Sequence, residues 1–166
     1  MSYLYKTMRS PVGELTLVGS DRGLAAVLWE DDDPTRVRLG ELAEDADHPV
    51  LVHAQLQLQE YFAGKRRKFT VRLDPAGTAF QTRVWNALRT IPFGETRSYG
   101  QIADQIGSRK AVRAVGAANG ANPLSIIVPC HRVIGANGKL TGFAGGLDVK
   151  ARLLALERES GLGARS

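Results

Sequence analysis

"RSYGQIADQIGSRKAVRAVGAANG", residues 97–120, decides how the chain is read. Apolar residues recur at helical spacing on both sides of Gly107-Ser108, so the spacing predicts two short helices joined by a tight glycine turn, the helix-turn-helix pattern. The second helix, read as Arg109 to Asn119, is nearly bare of hydrogen-bonding side chains in its middle, where Ala111, Val112, Ala114, Val115, Gly116, Ala117 and Ala118 surround Arg113. A sequence-specific reader would aim Gln, Asn, Arg or Ser at base edges. Alanine and glycine instead let a backbone come close to a phosphate chain, with Arg109 and Lys110 leading the helix. The pattern predicts base-blind duplex binding, in which phosphates supply affinity and Arg113 enters the stack or groove. The same small residues would also serve a helix packed tightly against a neighbour.

Charge favours the first alternative. Residues 1–77 carry ten Lys/Arg against twelve Asp/Glu, a net of −2, whereas residues 78–166 carry twelve against five, a net of +7. A basic half joined to a mildly acidic one is the footprint of a polyanion partner. Upstream, "TAFQTRVWNALRTIPFGE" (78–95) places Phe80, Val84, Trp85, Leu88 and Ile91 at helical spacing, in a helix that ends before Pro92. "PAGT" (75–78) is the expected linker, which divides the chain into domains 1–77 and 78–166.

The first half alternates apolar and polar residues from Leu4 to Glu30, broken at Pro11-Val12-Gly13 and Asp21-Arg22-Gly23, the pattern of a three-stranded antiparallel meander. The acidic stretch 30–47 reads as a loop or weak helix. Residues 48–65 read as an amphipathic helix with Leu51, Leu56, Leu58, Tyr61 and Phe62 on its apolar face and a glycine stop at Gly64. "KFTVRLD" (68–74) reads as a short strand. The fold class is therefore α/β of the α+β kind: an antiparallel sheet with a helix, then a mostly helical half. With 43% hydrophobic residues the chain can bury a core, and no apolar run approaches the ~20 residues of a membrane span. MSYLYKTMRS has no signal-peptide core. One cysteine excludes an intramolecular disulfide and a CxxC zinc site, and with only three histidines no structural metal is expected. A cytoplasmic protein without metal or cofactor is the expectation.

That single cysteine lies in "IVPCHRV" (127–133), near the end of the β-branched run "PLSIIVPCHRVIGANGKL" (123–140). Cys130 is either a buried apolar filler or a nucleophile. Pro129 ends a strand ladder, so Cys130 is expected where a strand breaks into a turn, directed out of it, with His131 alongside as base. The closing helix, 147–160, carries Glu157 on the same face as Leu153 and Leu154, and a carboxylate there needs a partner. A Cys130–His131–Glu157 relay would supply one. A salt bridge from Glu157 to Arg152, Arg158 or another arginine would do so equally. Asn122-Pro123 is a turn former, or a brace for the turn that presents Cys130.

Together, "RSYGQIADQIG", "KAVRAVGAANGANP", "IIVPCHRVIGANGKLTGFAGG" and "KARLLALE" resemble the O6-alkylguanine-DNA alkyltransferases, or methylated-DNA–protein-cysteine methyltransferases. The resemblance runs from about Thr78 to Glu157 and is looser before it. It implies a ribonuclease H-like N-terminal domain and a winged-helix-like C-terminal domain. It implies irreversible transfer of an alkyl group from O6-alkylguanine in double-stranded DNA to Cys130, and from O4-alkylthymine as well. By matching position, His131 is the base, Glu157 orients it, Asn122 braces the turn, and Tyr99 assists the leaving guanine and rotates the 3′ phosphate. Arg113 fills the stack left by the flipped base. Ser98, Tyr99, Arg109, Lys110, Ala114 and Gly116 line the DNA face, and Val133, Phe143, Ala144 and Lys150 line the alkylguanine pocket. Many relatives have tyrosine and serine where this chain has Phe143 and Ala144, so an altered substrate range is expected. The family form implied is a stand-alone monomer that can assemble cooperatively on DNA. The rival is an alkyltransferase-like protein that grips damage without repairing it; such proteins lack the acceptor cysteine.

Overall fold

The computed structural model describes residues 2–160. The meander forms as β1 (Tyr3–Ser10), β2 (Gly13–Ser20) and β3 (Gly23–Leu28), antiparallel in register from Leu4↔Gly19 to Ser10↔Gly13 and from Thr16↔Leu28 to Ser20↔Gly23. Gly13 and Gly23 turn the chain at φ 105° and 144°, a region that a side chain would make costly. A fourth strand, β4 (Leu42–Glu44), pairs parallel to β1 in the order β3-β2-β1-β4. It lies inside the stretch expected to be loop or weak helix. All three of its residues are exposed, so no apolar alternation marks it.

One helix covers this sheet: α1 (Pro49–Phe62), capped by His48, whose side chain accepts the Val50 N–H, and stopped at Ala63 and Gly64 (φ 73°). Leu51, Ala54, Leu58 and Tyr61 form its buried row, three or four residues apart. Leu56 falls off that row and is 53% exposed, which corrects its assignment to the apolar face. The strand expected over 68–74 reduces to an isolated bridge between Leu73 and Leu24. Gln57 is the reason: its side-chain oxygen takes the N–H groups of Thr70 and Val71 at 3.0 and 3.1 Å, in place of a neighbouring strand.

The second half opens with α2 (Ala79–Leu88), where Thr78 and Gln81 cap each other reciprocally. It is shorter than the periodicity implied, because Ile91, though buried, lies in the turn beyond it. A two-stranded parallel pair, β5 (Arg97–Ser98) with β6 (Val133–Ile134), frames the helix-turn-helix of α3 (Tyr99–Gln105) and α4 (Val112–Gly120). The closing helix is α5 (Leu147–Glu159). No strand forms over 123–129. Leu124 alone bridges to Val27, and Ile126 takes a left-handed φ of 74°, which is strained for a β-branched residue. The run is apolar because it is buried, and local turns satisfy its backbone.

Residues 72–74 and 123–124 cover the free edge of β3 through Leu24 N–H to Arg72 O and Val27 N–H to Pro123 O, both 2.8 Å. A single apolar cluster runs from Leu15, Leu17 and Leu24 of the sheet through Tyr61 to Trp85, Ile102, Ile126 and Leu153. The two halves therefore share one core. Among the described residues no helix is long and apolar enough to cross a membrane.

Candidate active site

Cys130 opens a single 3-10 turn, Cys130–Arg132, at the centre of this shared core. Pro129 precedes it at φ −80°, but there is no strand for it to break, and Cys130 is 4% exposed. The expectation of a thiol directed outward is thus corrected: Cys130 is buried in the core. Asn122 spans the preceding loop. Its amide nitrogen donates to Val128 O at 2.9 Å and its oxygen accepts from Leu124 N–H at 3.0 Å. Trp29, from the N-terminal sheet, ties the same loop by donating Nε1–H to Ser125 Oγ at 3.1 Å.

Glu157 lies on the buried face of α5 and takes both of the partners that its sequence position left open. His131 Nε2 meets Oε2 at 2.6 Å, while Arg132 donates from Nε to Oε1 at 2.8 Å and from a terminal nitrogen to Oε2 at 3.0 Å. Tyr61 OH donates to Oε2 at 2.6 Å, and the Gly94 N–H donates to Oε1 at 3.3 Å. Burial alone would raise the Glu157 carboxyl, yet its pairing with His131 and Arg132 outweighs burial and holds it far below the usual carboxylate range. Burial also lowers the His131 imidazole despite the adjacent carboxylate, with Arg132 and Lys150 acting in the same direction. An anionic Glu157 balanced by Arg132 thus faces a neutral His131. Nε2–H then points at the carboxylate, and the lone pair is on Nδ1, which is buried and has no hydrogen-bond partner in the protein. Burial raises the Cys130 thiol, against weaker lowering by Asn122, Arg36 and Lys150. At rest the pair is thiol and imidazole, with the proton still on sulfur.

Around this centre, Lys150 is fully buried. Its ammonium donates to Val133 O at 2.6 Å and Thr141 O at 3.2 Å, 6.0 Å from the Phe143 ring. Tyr99 OH bonds Thr141 Oγ1 at 2.7 Å, so α3 and the 141–146 loop meet there. Phe143 packs edge-on against Trp29, 5.4 Å between centroids, and Ala144 is exposed beside it. A Cβ on Gly145 would come within 2.8 Å of the Trp29 ring, so only glycine fits that close approach.

The outer face of α4 carries Arg113 and Ala114, exposed, while Val115, Ala118 and Asn119 pack inward. The packed-helix reading holds for the inner face, and the outer face is left exposed. Gly116 lies under the Tyr99 ring, and a Cβ there would sit 3.9 Å from it. Ser98 caps α3 in a reciprocal pair with Gln101. Arg109 and Lys110 belong to the turn before α4 and do not lie in the helix itself, which begins at Val112; Arg109 bonds Asp104 at 3.1 Å.

Sequence reasoning missed Tyr61, Arg132, Trp29 and Arg36. Arg36 grips Asp32 with two bonds of 2.7 Å and donates to Gly120 O at 3.2 Å and Asn122 O at 2.7 Å, which caps the end of α4. The spacing of Asp32 and Arg36 was a readable signal for that pair, though not for its target. Among the described residues no group of three or more His, Cys, Asp or Glu could hold a metal.

Residues 3–75 match the family model described as 6-O-methylguanine DNA methyltransferase, ribonuclease-like domain, and residues 79–159 match that described as 6-O-methylguanine DNA methyltransferase, DNA binding domain. A protein of Mycolicibacterium paratuberculosis named methylated-DNA–protein-cysteine methyltransferase is 54% identical over 156 residues, 93% of this chain and 92% of its own. The constitutive protein of that name from Bacillus subtilis is 48% identical, covering 96% of this chain and 98% of its own. Among solved structures, Mycobacterium tuberculosis OGT in complex with DNA superposes with a TM-score of 0.86 at 50% identity, covering 96% of this chain and 94% of that one.

Proposed function

The chain belongs to the 6-O-methylguanine DNA methyltransferase family, and from that premise we propose that it repairs alkylated duplex DNA by one irreversible transfer to Cys130. The single observation that carries this reading is His131 anchored through Nε2 to Glu157, with Nδ1 buried and unpaired in the residue that directly follows the buried Cys130. As the sulfur attacks the alkyl carbon of O6-alkylguanine, Nδ1 takes the thiol proton, directly or through one water. The S–C bond forms as the C–O6 bond breaks, the electron pair leaves on the guanine, and that anion takes up one proton, equivalent to the one His131 removed from the thiol and then releases. The products are a thioether on Cys130 and restored guanine, so one molecule acts once.

The other assignments follow. Tyr99, already bonded through its hydroxyl to Thr141, donates to the departing guanine. Asn122 braces the turn that presents the thiol. Lys150 holds Val133 and the 141–146 loop as pocket wall, with Phe143 for stacking and the Ala144 N–H for the base edge. Without the side-chain hydroxyls of tyrosine and serine at 143 and 144, the pocket tolerates a different set of adducts. Arg113 enters the stack, while Ser98, Arg109, Lys110, Ala114 and Gly116 bring α3 and α4 onto the phosphates. Residues 1–77 act as the scaffold and 78–166 carry the DNA face and the acceptor. The protein works as a cytoplasmic monomer that can assemble cooperatively along DNA and acts on O4-alkylthymine as well as O6-alkylguanine.

Incubation with duplex DNA containing O6-methylguanine, followed by intact mass and peptide mapping, tests the reading. The expected result is one methyl on Cys130, at no more than one equivalent per protein. Binding with no gain in mass would identify a damage-binding protein instead, and repeated turnover would identify a hydrolase. Arg113→Ala is expected to slow transfer from duplex DNA about ten- to hundredfold, because an extruded base loses its replacement in the stack. Reaction with a free O6-alkylguanine base is expected to be unchanged. Equal losses on both substrates would contradict the role.

A further inference from the structure

We propose that Tyr61 is a positioning residue for the transfer: its buried hydroxyl, donated to the same Glu157 oxygen that His131 bonds, limits how strongly the carboxylate draws a proton onto His131. The proposal rests on the reading of Cys130 as acceptor and His131 as its base, and deepens it. A carboxylate oxygen offers about two lone-pair sites. Oε2 of Glu157 receives three donors: Tyr61 OH and His131 Nε2 at 2.6 Å, and Arg132 at 3.0 Å. Oε1 receives only Arg132 Nε and the Gly94 N–H. His131 and Tyr61 therefore compete for one atom.

Tyr61 is built to stay in that competition. It is fully buried, and its ring is wedged between Phe62, Phe69 and Phe93 at centroid distances of 5.3, 5.6 and 6.1 Å. Burial, then the adjacent carboxylate, pushes the phenol well above its ordinary value, so it remains a protonated donor. It weakens the pull of Glu157 without adding charge, which Arg132 cannot do. The residue comes from α1, 96 positions before Glu157, so the N-terminal half reaches the reacting centre by this bond. The charged and titratable groups that bear on His131 are Glu157 and Lys150 of α5, Arg132 and Cys130 of its own turn, and Tyr61 of α1 acting through Glu157.

The sign follows directly. Removing the Tyr61 O–H concentrates charge on Oε2, which favours the imidazolium and moves His131 titration to higher pH. As pH falls, the base is then lost earlier. Tyr61→Phe keeps the ring and its packing. In this variant the His131 ring, followed by NMR in the free protein, is expected to titrate about one pH unit higher than in the wild type. The acid limb of the methyl-transfer rate should move with it, while the plateau at higher pH is retained. Ring-fluorinated tyrosine at position 61, a stronger donor, should move both in the opposite direction, and decides the matter alone if Tyr61→Phe does not fold. A lowered plateau or melting temperature with both titrations unmoved would reduce Tyr61 to a packing residue and overturn the proposal. The NMR titration reads Tyr61 even if the wild type transfers nothing, so failure of the proposal and failure of the proposed function are separable.

Discussion

Cys130→Ala leaves a protein that binds duplex DNA within about threefold of the wild type and transfers no alkyl group at all, since it lacks the atom that forms the new bond. No neighbour can stand in for the sulfur. The Lys150 ammonium is committed to two carbonyls, and His131 is fixed by Glu157. The candidate DNA contacts on α4 and the preceding turn, Arg113, Ala114, Arg109 and Lys110, are exposed, whereas Cys130 is buried in the core. Loss of one small buried group costs about 1 kcal/mol of stability, too little to unfold a domain of ordinary margin. Intact mass after incubation with O6-methylguanine duplex, alongside a binding titration at fixed salt, checks both halves of the statement. Residual methylation elsewhere on the chain would overturn it, and so would a tenfold loss of binding.

The resting protonation state explains why such a reagent survives until it meets its substrate. Burial raises the thiol and lowers the imidazole. A free thiolate–imidazolium pair is therefore disfavoured from both sides. In the proposed transfer the proton passes from sulfur to His131 only as the sulfur attacks the alkyl carbon, so reactivity depends on an alkylated nucleobase delivered to the site.

Much of this was legible in the sequence, for reasons that differ from element to element. The meander and α1 announced themselves because a half-buried sheet and an amphipathic helix impose periods of two and of three to four on their apolar residues. Gly107 betrayed the helix-turn-helix, and its φ of 76° needs a residue without Cβ. The run 123–129 misled because β-branched residues suit any buried extended stretch, and periodicity does not separate a core strand from a core loop. β4 was invisible because its pairing uses backbone alone while its side chains face solvent. In the site, Cys130, His131 and Glu157 could be found because each is chemically out of place where it stands. Tyr61 and Arg36 could not. A tyrosine in an apolar row and an arginine in an acidic loop look ordinary until the fold brings them to Glu157 and Asn122.

Glu157→Gln is expected to cost about a hundredfold in transfer rate and about 3 kcal/mol of stability near neutral pH, from two separate causes. The amide keeps the volume but replaces one acceptor oxygen with a donor. Facing His131, that NH2 group requires Nε2 to accept, which moves the ring proton onto Nδ1, the nitrogen that receives the thiol proton in the proposed transfer. Facing Arg132 instead, it meets the guanidinium donor to donor. Either way Arg132, 5% exposed, is left as a buried charge without its counter-ion. The pH dependence identifies the stability term. The folded Glu157 lies far below its ordinary 4.5, so its contribution is complete above that value and is lost as pH falls beneath it. Protonation of His131, whose folded value in the wild type lies below its ordinary 6.5, also favours the unfolded chain as pH falls. Denaturant unfolding across the acid range should therefore show the wild type and Glu157→Gln converging below about pH 4.5, as the carboxylate that distinguishes them is neutralised. A gap in stability that stays constant through that range would mean that Glu157 is held by packing alone, and that its charge supports neither Arg132 nor His131.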